Sequence, residues 1–399
     1  MAEQADLFDS EPILEVEDQA EGLEDVAAVD GRVVSQSVVS GTDWTAETII
    51  NQIDKGNIQL NPKFQRRDAW EGHRKSSFIE SLILGLPIPQ IVLAESQTKR
   101  GSYIVIDGKQ RLLSIRQFAA KADDQVFSPL RLTGLSIRRD LHLATLESLR
   151  LDPAFADDVA AFENQPIRTV VIKNWGNEDF LYQVFLRLNT GSVPLSPQEL
   201  RQALHPGPFV EFIEEASAES PGLRKVLKLK KPDFRMRDAE LLTRWYALRY
   251  FAPEYTGDLK SFLDRTCETL NLQYAEGADD LHSNLEQFEA SVATSYKIFG
   301  THSFRKWSKG SYERLFNRAI FDIMTYYFGD PTIRDAAEVN GPAVEAAFKD
   351  LCQNNAEFLA AIERTTKSMG ATTARMSLWA EVLSQATGIE VRSPLPRIA

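Results

Sequence analysis

The sequence predicts an α/β (α+β) domain followed by an all-α domain. Runs of β-branched and aromatic residues occur only in the first half of the chain, where they alternate with helical patterns. From about residue 209 onward, every periodic stretch has helical spacing. The 399 residues are 43% hydrophobic, which is enough for more than one core. We therefore predict a tail over residues 1–40 and domains over residues 41–205 and 206–399.

The formal net charge of −12 comes almost entirely from the tail. Residues 1–30 hold eleven of the 57 acidic residues and no lysine or arginine, which leaves 46 acidic against 45 basic residues in the rest. A tail of this composition, poor in aromatics and without periodicity, is predicted to be disordered. The acidic total does not exclude nucleic acid binding by a local basic patch.

Residues 4–8, QADLF, resemble the pentapeptides with which bacterial replication and repair proteins dock onto the sliding clamp. A chance match of five residues is the alternative.

The composition favours a cytoplasmic protein. No run of about eighteen apolar residues predicts a membrane span, and the N-terminus lacks the basic and apolar regions of a secretory signal. Two cysteines, Cys267 and Cys352, are too few for a disulfide framework, and each is predicted to be a small core residue.

The elements of the first domain follow from periodicity and from helix start and stop residues. Gly56 ends a first predicted helix, and Gly85 ends a second. The predicted helices are 45–55, 71–84, 141–151, 153–164 and 178–188, and the predicted strands are 88–94, 103–106, 130–132 and 166–173, with 88–94 paired to 103–106.

A further helix is predicted to begin after Ser196. Ser196 is a good N-cap residue, Pro197 suits the first helical position, and Glu199 is the capping-box partner. Arg201 is predicted to face outward. The helices predicted beyond it are 209–215, 239–250, 259–270, 281–299, 312–328, 344–354, 356–367 and 372–386.

The stretch YIVIDGKQRLLSIR, residues 103–116, predicts a strand that turns directly into a helix at Gly108. Lys109 and Arg111 then lie in the first helical turn, where basic side chains oppose the helix dipole. A bound phosphate would offset this unfavourable positive charge. Arg111 would then donate two hydrogen bonds to its oxygens, and Asp107 would hold a metal ion. The alternatives are a surface turn with solvated charges and an Asp107 that caps the helix.

Three polar clusters lie at the ends of helices or strands in the first domain, where a domain built on a sheet usually has its binding site. They are Gln65/Arg66/Arg67, Asp107/Lys109/Gln110/Arg111, and Arg187/Asn189 with Arg201.

The order of the segments NPKFQRRDAW, SLILGLPIPQIVL, IDGKQRLLSI and FLRLNTGSVPLSPQELR resembles the N-terminal domain family of GmrSD restriction endonucleases, over about residues 35–205. The resemblance implies a ParB/sulfiredoxin-like core and a role in defence against foreign DNA. It also implies binding, and hydrolysis, of a nucleoside triphosphate at a DGQQR-type motif. Here that motif is Asp107, Gly108, Lys109, Gln110 and Arg111, and Gln65, Arg66 and Trp70 match the box that faces the phosphate loop in ParB proteins.

Two departures from the family pattern bear on function. Lys109 stands where the common motif has Gln, which keeps a donor and adds a charge, so the choice of nucleotide is open. The family's restriction enzymes also carry an HNH-type nuclease, whereas none of the five histidines here is paired at metal-ligand spacing. A separate nuclease or defence subunit is therefore an expected partner if DNA is cut.

Two basic stretches are candidates for DNA contact. Residues 222–238 carry seven basic residues against two aspartates, and residues 304–318 interleave aromatic with basic residues. The alternative for both stretches is a solvated helix face whose aromatics face the core. The seven basic residues of the first are Arg224, Lys225, Lys228, Lys230, Lys231, Arg235 and Arg237.

The sequence leaves three functions open. The first is a nucleotide-dependent sensor in which Gln65, Arg66, Gly108, Lys109, Arg111 and Asn189 hold a triphosphate, while Asp107 holds Mg²⁺ and acts with Gln110 and Arg111 in hydrolysis. The second is a Mg²⁺-dependent ParB-like nuclease that uses the same pocket. The third is a non-catalytic module that binds DNA or a partner.

Overall fold

The computed structural model describes residues 37–58, 60, 67, 69–188, 196–364 and 366–395. These residues fall into two compact units, which meet in sequence between Leu204 and His205. Residues 1–36 of the predicted acidic tail, which include residues 4–8, lie outside the described residues. No helix among the described residues is long and apolar enough to cross a membrane.

A four-stranded mixed sheet forms the centre of the first unit. Its strands are β1 (Val38–Thr45), β2 (Ile91–Glu95), β3 (Tyr103–Asp107) and β4 (Pro166–Lys173), in the spatial order β1-β4-β2-β3. The strand β4 pairs antiparallel with β1 and parallel with β2, and β2 pairs antiparallel with β3. The predicted pairing of β2 with β3 is confirmed.

Helices cover both faces of this sheet. Alternate residues of β2 point to opposite faces, so the two sets of side chains join different cores. Ile91 and Leu93 join a core that includes side chains from α1 (Ala46–Asp54), α2 (Gly72–Ile83), α3 (Lys109–Ala119) and α5 (Ala156–Asn164). Val92 and Ala94 join a second core with side chains from α6 (Glu178–Leu188) and α7 (Pro197–Leu204). The first unit therefore has three layers, with β2 buried on both faces.

Most elements predicted for this unit are confirmed. Thr45 caps α1 by accepting a hydrogen bond from the Thr48 amide at 3.1 Å, and Gly56 follows the helix at φ 68°. The strand β4 and the helix α6 have the predicted bounds. The predicted helices over 141–151 and 153–164 are present as α4 (Leu146–Leu151) and α5, each preceded by a 3₁₀ turn.

Two predictions for this unit are wrong. Residues 38–40 were assigned to a disordered tail, but they begin β1, an edge strand whose mixed polar sequence lacks a buried alternating face. Residues 130–132 form no strand. Leu132 instead exchanges backbone hydrogen bonds with Leu143 and Ala144 at 2.7 and 3.1 Å in an irregular loop.

The second unit is predominantly helical. Tyr246, Trp245, Phe288, Phe321 and Trp379 lie among its buried aromatic side chains. Its helices are α8 (Pro208–Glu219), α9 (Pro221–Val226), α10 (Arg237–Phe251), α11 (Leu259–Phe299), α12 (Arg318–Phe328), α13 (Pro331–Val339), α14 (Gly341–Asn354), α15 (Ala356–Glu363) and α16 (Met369–Thr387).

The structure corrects two details of this helical region. The helices predicted over 259–270 and 281–299 are one helix of 41 residues, α11. Residues 312–317 are not helical, because a short hairpin joins β5 (Trp307–Ser308) to β6 (Ser311–Tyr312). Lys309 and Gly310 form its turn with φ of 51° and 84°, and two positive φ angles suit a two-residue hairpin loop.

The predicted interior positions of both cysteines are confirmed. Cys267 and Cys352 are buried free thiols, and burial raises the pKa of the Cys352 thiol to about 12. Trp175 and Trp245 are buried, and the indole N–H of Trp175 donates to the Glu95 carbonyl at 2.7 Å.

Candidate functional site

The turn from β3 into α3 has the predicted form. Gly108 is the N-cap residue of α3, with φ 101° and ψ 11°, a conformation that L side chains rarely adopt. A Cβ atom at this position would lie 3.1 Å from Cγ1 of the buried Ile91. Both the backbone conformation and the packing therefore require glycine.

The start of α3 has no side-chain cap. Gly108 offers no side chain to accept hydrogen bonds, and the first bond within the helix runs from the Leu112 amide to the Gly108 carbonyl at 2.9 Å. The amides of residues 109–111 therefore have no carbonyl partner within the helix. No acidic residue lies in the first turn to offset the dipole.

Arg111 is buried in an ion pair with Asp107. Its Nη2 donates to Asp107 Oδ2 at 2.7 Å and to the Gln90 carbonyl at 2.9 Å. The Asp107 side chain keeps 28% of its surface exposed, against 6% for Arg111. Asp107 thus holds Arg111 in place instead of capping the helix, and its carboxylate remains accessible from solvent.

Lys109 is buried in a second ion pair, with Glu199 on α7. The two charged atoms lie 2.7 Å apart, and the side chains are 8% and 6% exposed. The surface-turn alternative, in which these charges are solvated, is therefore wrong. The pair joins the start of α3 to the start of α7, which are 90 residues apart in sequence.

The capping box predicted at Ser196 is confirmed. The Glu199 amide donates to Ser196 Oγ at 3.1 Å, and the Ser196 amide donates to Glu199 Oε2 at 2.8 Å. The same carboxylate therefore caps α7 through one oxygen and neutralises Lys109 through the other.

Arg201 does not face outward as predicted. It is 2% exposed, and its Nη1 donates to Gln198 Oε1 at 2.7 Å. The capping box fixes where α7 begins, but which helix faces are covered depends on packing against the sheet. Since α7 packs into the second core, it buries polar residues on more than one side.

A hydrogen bond from a backbone amide to a side chain joins Trp70 to the motif at residues 107–111. The Trp70 amide donates to Gln110 Oε1 at 3.3 Å, across 40 residues. Trp70 also packs edge-on against Phe78, and the Arg74 guanidinium lies 4.8 Å from the centre of its ring. The chain that follows Gln65 and Arg66 therefore passes beside the first turn of α3.

Three of the predicted nucleotide-binding residues, Gln65, Arg66 and Asn189, lie outside the described residues. Of their clusters, Arg67 is described and is 2% exposed, and Arg187 is exposed on α6. Sequence reasoning missed Glu199. A buried lysine needs an acidic partner, but the position of the lysine in the sequence does not identify that partner.

The charges at this site cancel in the described arrangement. Lys109 and Arg111 are balanced by Glu199 and Asp107, so the remaining positive contribution at this turn is the N-terminal end of the α3 dipole. An anion can bind such a helix start, and the exposed carboxylate of Asp107 has the hard oxygen that Mg²⁺ prefers.

A comparison with known protein families matches most of the first unit. Residues 46–206 match the model of the GmrSD restriction endonuclease, N-terminal domain. These residues form a GmrSD N-terminal domain. Membership implies a role in a restriction or defence system. No curated protein and no solved structure matches the chain, so the ParB/sulfiredoxin-like core stays a prediction.

The matched GmrSD N-terminal domain ends before the basic segment, residues 222–238, which lies in the helical unit. Six of its seven basic residues are exposed. Arg237 instead pairs with the buried Asp233 at 3.0 Å, and the Lys225 ammonium lies 3.8 Å from the centre of the Tyr296 ring. The exposed six are Arg224, Lys225, Lys228, Lys230, Lys231 and Arg235.

The second basic stretch uses its aromatic residues for packing. Phe304 is 1% exposed, and Trp307 and Tyr312 contact each other edge-on, with ring centres 4.9 Å apart. Lys306 forms ion pairs with Glu313 and Glu363. These contacts favour the structural interpretation of residues 304–318 over DNA contact.

The buried pair in the GmrSD N-terminal domain generates a prediction about stability. Replacing Lys109 with Met leaves the Glu199 carboxylate buried without its counter-charge, which costs about 3–5 kcal/mol of unfolding free energy. Adding Glu199→Gln, which keeps the capping box, should recover part of this loss, with a coupling energy of about 1–3 kcal/mol. Urea denaturation of the single and double variants measures the coupling.

The matched control is the exposed pair of Arg168 and Asp43 in the same unit, whose side chains are 60% and 54% exposed at 3.2 Å. Its coupling in the same cycle should stay under about 1 kcal/mol. Equal coupling for the two pairs would show that burial adds nothing to the Lys109–Glu199 interaction.

Proposed function

We propose that the GmrSD N-terminal domain of this protein binds a nucleoside triphosphate with Mg²⁺ at the start of α3. The protein then acts as a nucleotide-dependent sensor or regulator in a restriction or defence system. The family match supports the general role, and the geometry around Gly108 supports the site.

The observation that carries the proposal is the uncapped start of α3 beside the segment that ends at Trp70. Gly108 leaves the first-turn amides without a side-chain acceptor, and the Trp70–Gln110 hydrogen bond brings the second motif segment to the same place. Triphosphates carry several anionic oxygens, which suit a helix start of this kind.

Asp107 is suited to hold the metal ion. Its carboxylate is partly exposed, whereas the other carboxylate at the turn, Glu199, is buried and engaged through both oxygens. Mg²⁺ is bound in proteins through one or two carboxylates together with substrate phosphates. When bound, it would neutralise phosphate charge and polarise a phosphoryl oxygen.

The basic residues have different roles in this proposal. Arg111 shares the carboxylate of Asp107, so a metal ion at Asp107 competes with Arg111 and leaves its guanidinium for phosphate oxygens. Lys109 stays paired with Glu199 and positions the turn. Gln110 orients the turn toward Trp70. Gln65, Arg66 and Asn189 remain proposed ligands.

Titration calorimetry of the four ribonucleoside triphosphates, with and without Mg²⁺, tests this proposal. We expect the full chain to bind at least one of them in a Mg²⁺-dependent manner. Asp107→Asn removes the charged metal ligand and should weaken that binding by at least about tenfold, or 1.4 kcal/mol. Measurements of phosphate release, with and without DNA, then distinguish hydrolysis from binding alone.

The matched control is Asp43→Asn, which makes the same change at another aspartate that pairs with an arginine. Asp43 lies in β1, at the opposite edge of the sheet from β3, so its substitution should leave nucleotide affinity unchanged. Absence of heat with every triphosphate, or equal effects of the two variants, would reject the site. Plasmid nicking that Asp107→Asn abolishes would favour the nuclease alternative.

We also propose that the helical unit contacts DNA through the basic segment. Lys228, Lys230 and Lys231 are exposed, and in the part of the chain that the structure describes no carboxylate forms an ion pair with any of them. Exposed lysines that neutralise phosphates release counterions, which makes binding salt-dependent.

Changing these three lysines to Gln should weaken binding to duplex DNA. If each one contacts a phosphate, the slope of log affinity against log salt should fall in magnitude by about 2–3. Fluorescence anisotropy at several salt concentrations measures both quantities. The control changes Lys55, Lys99 and Lys121, three exposed lysines of the first unit, to Gln. An equal loss in both triple variants would show that only net charge matters.

A further inference from the structure

The helical unit contains a buried charged network that none of the preceding proposals uses. Arg244 on α10 lies against Asp322 on α12, and its Nε donates to Asp322 Oδ1 at 3.1 Å. Its Nη2 donates to Asp322 Oδ2. Arg375 on α16 reaches the same carboxylate, with Nη2 3.8 Å from Oδ2. All three side chains are at most 6% exposed.

Positive charge exceeds negative charge in this network. One turn away along α10 and α12, Arg318 Nε lies 3.5 Å from Glu240 Oε1, so the charges of these two side chains cancel. Asp322 is left to balance both Arg244 and Arg375. Burial lowers the pKa of the Arg375 guanidinium, and the Asp322 carboxylate opposes this effect without reversing it. Among the described residues, the network therefore has three arginines and two carboxylates.

The two arginines also have unused donors. Arg244 Nη1 and Arg375 Nε are buried, and no described residue forms a hydrogen bond with either atom. A buried polar atom without a partner costs about 1–3 kcal/mol, and more when the group is charged. The Nη1 of Arg375 does donate to the Thr366 carbonyl, which holds the side chain in position.

A cavity lies against both arginines. It has a volume of about 20 Å³, enough for one water-sized group. The partly exposed Lys367 forms part of its wall, so the cavity reaches the surface there. Leu259, Phe262 and Leu263 provide an apolar side to the same wall.

We propose that this cavity takes one oxygen atom of a small oxyanion, a carboxylate or a phosphate, whose other atoms extend out of the cavity along its wall toward Lys367. The extra arginine charge, the unused guanidinium donors and Lys367 recognise the anion. The apolar wall accepts the part of the ligand next to the anionic group. Arginine is suited to this task because its planar fork of donors matches carboxylate and phosphate oxygens.

The site is separate from the proposed triphosphate site, since every residue that lines it belongs to the helical unit. The anion would join helices α10 and α16 through Arg244 and Arg375. Binding should therefore stabilise this unit, because a ligand that binds only the folded state raises the free energy of unfolding.

Thermal unfolding of the full chain, at constant ionic strength, with inorganic phosphate or acetate replacing chloride, tests the proposal. We expect at least one of the two anions to raise the midpoint saturably. Arg375→Gln, which removes the excess charge, should abolish the saturable rise. Arg375→Lys keeps the charge but loses the fork, so it should weaken the apparent affinity by at least about tenfold. The anion with the larger effect identifies the head group.

Arg265→Gln is the matched control, because Arg265 lies in the same unit with its side chain 51% exposed. It should behave as the wild type. A general salt effect raises the unfolding midpoint without saturation and equally in all variants. A rise of that kind would overturn the proposal. Hydrogen exchange of the wild type reports the location without any substitution. Residues 366–375 should gain protection with the anion, and unchanged exchange there would also overturn it.

Discussion

The candidate site depends on the buried ion pair between Lys109 and Glu199. A lysine in the first turn of a helix is unfavourable, because its charge opposes the dipole, and burial adds a desolvation cost. Glu199 offsets both through one carboxylate oxygen while its other oxygen caps α7. One carboxylate therefore joins the start of α3 to the start of α7.

This constraint changes how the motif at residues 107–111 is understood. Its two cations, Lys109 and Arg111, are each paired with a carboxylate, so the N-terminal end of the α3 dipole provides the remaining positive potential. The pairs differ in exposure: Glu199 is enclosed, whereas Asp107 is open to solvent and to a competing cation. The geometry therefore gives Lys109 a positioning role and leaves the Asp107–Arg111 pair as the part that can respond to a ligand.

The features that local chemistry determines were predictable from the sequence. Gly108, the Ser196 capping box and β4 depend on neighbouring residues, and all three are as expected. The features that depend on distant partners were not. Arg201 is buried because α7 packs into a core, and β1 is a strand because β4 provides its hydrogen bonds.

The helical unit shows the same difference between features set by neighbouring residues and features set by distant partners. Residues 271–280 lack an apolar period because much of that part of α11 faces solvent, where Leu272 is 88% exposed, so the pattern suggested two helices. The network of Arg244, Asp322 and Arg375 joins three helices that are far apart in sequence. Each residue alone is an ordinary charged residue of a helix, and only their packing identifies a site.

A structure of the protein with Mg²⁺ and a non-hydrolysable nucleoside triphosphate tests the central claim most directly. The account predicts phosphate oxygens at hydrogen-bond distance, about 2.7–3.2 Å, from the amides of Gln110 and Arg111, with Lys109 still paired to Glu199. A nucleotide bound elsewhere, or one that takes Lys109 away from Glu199, would contradict it.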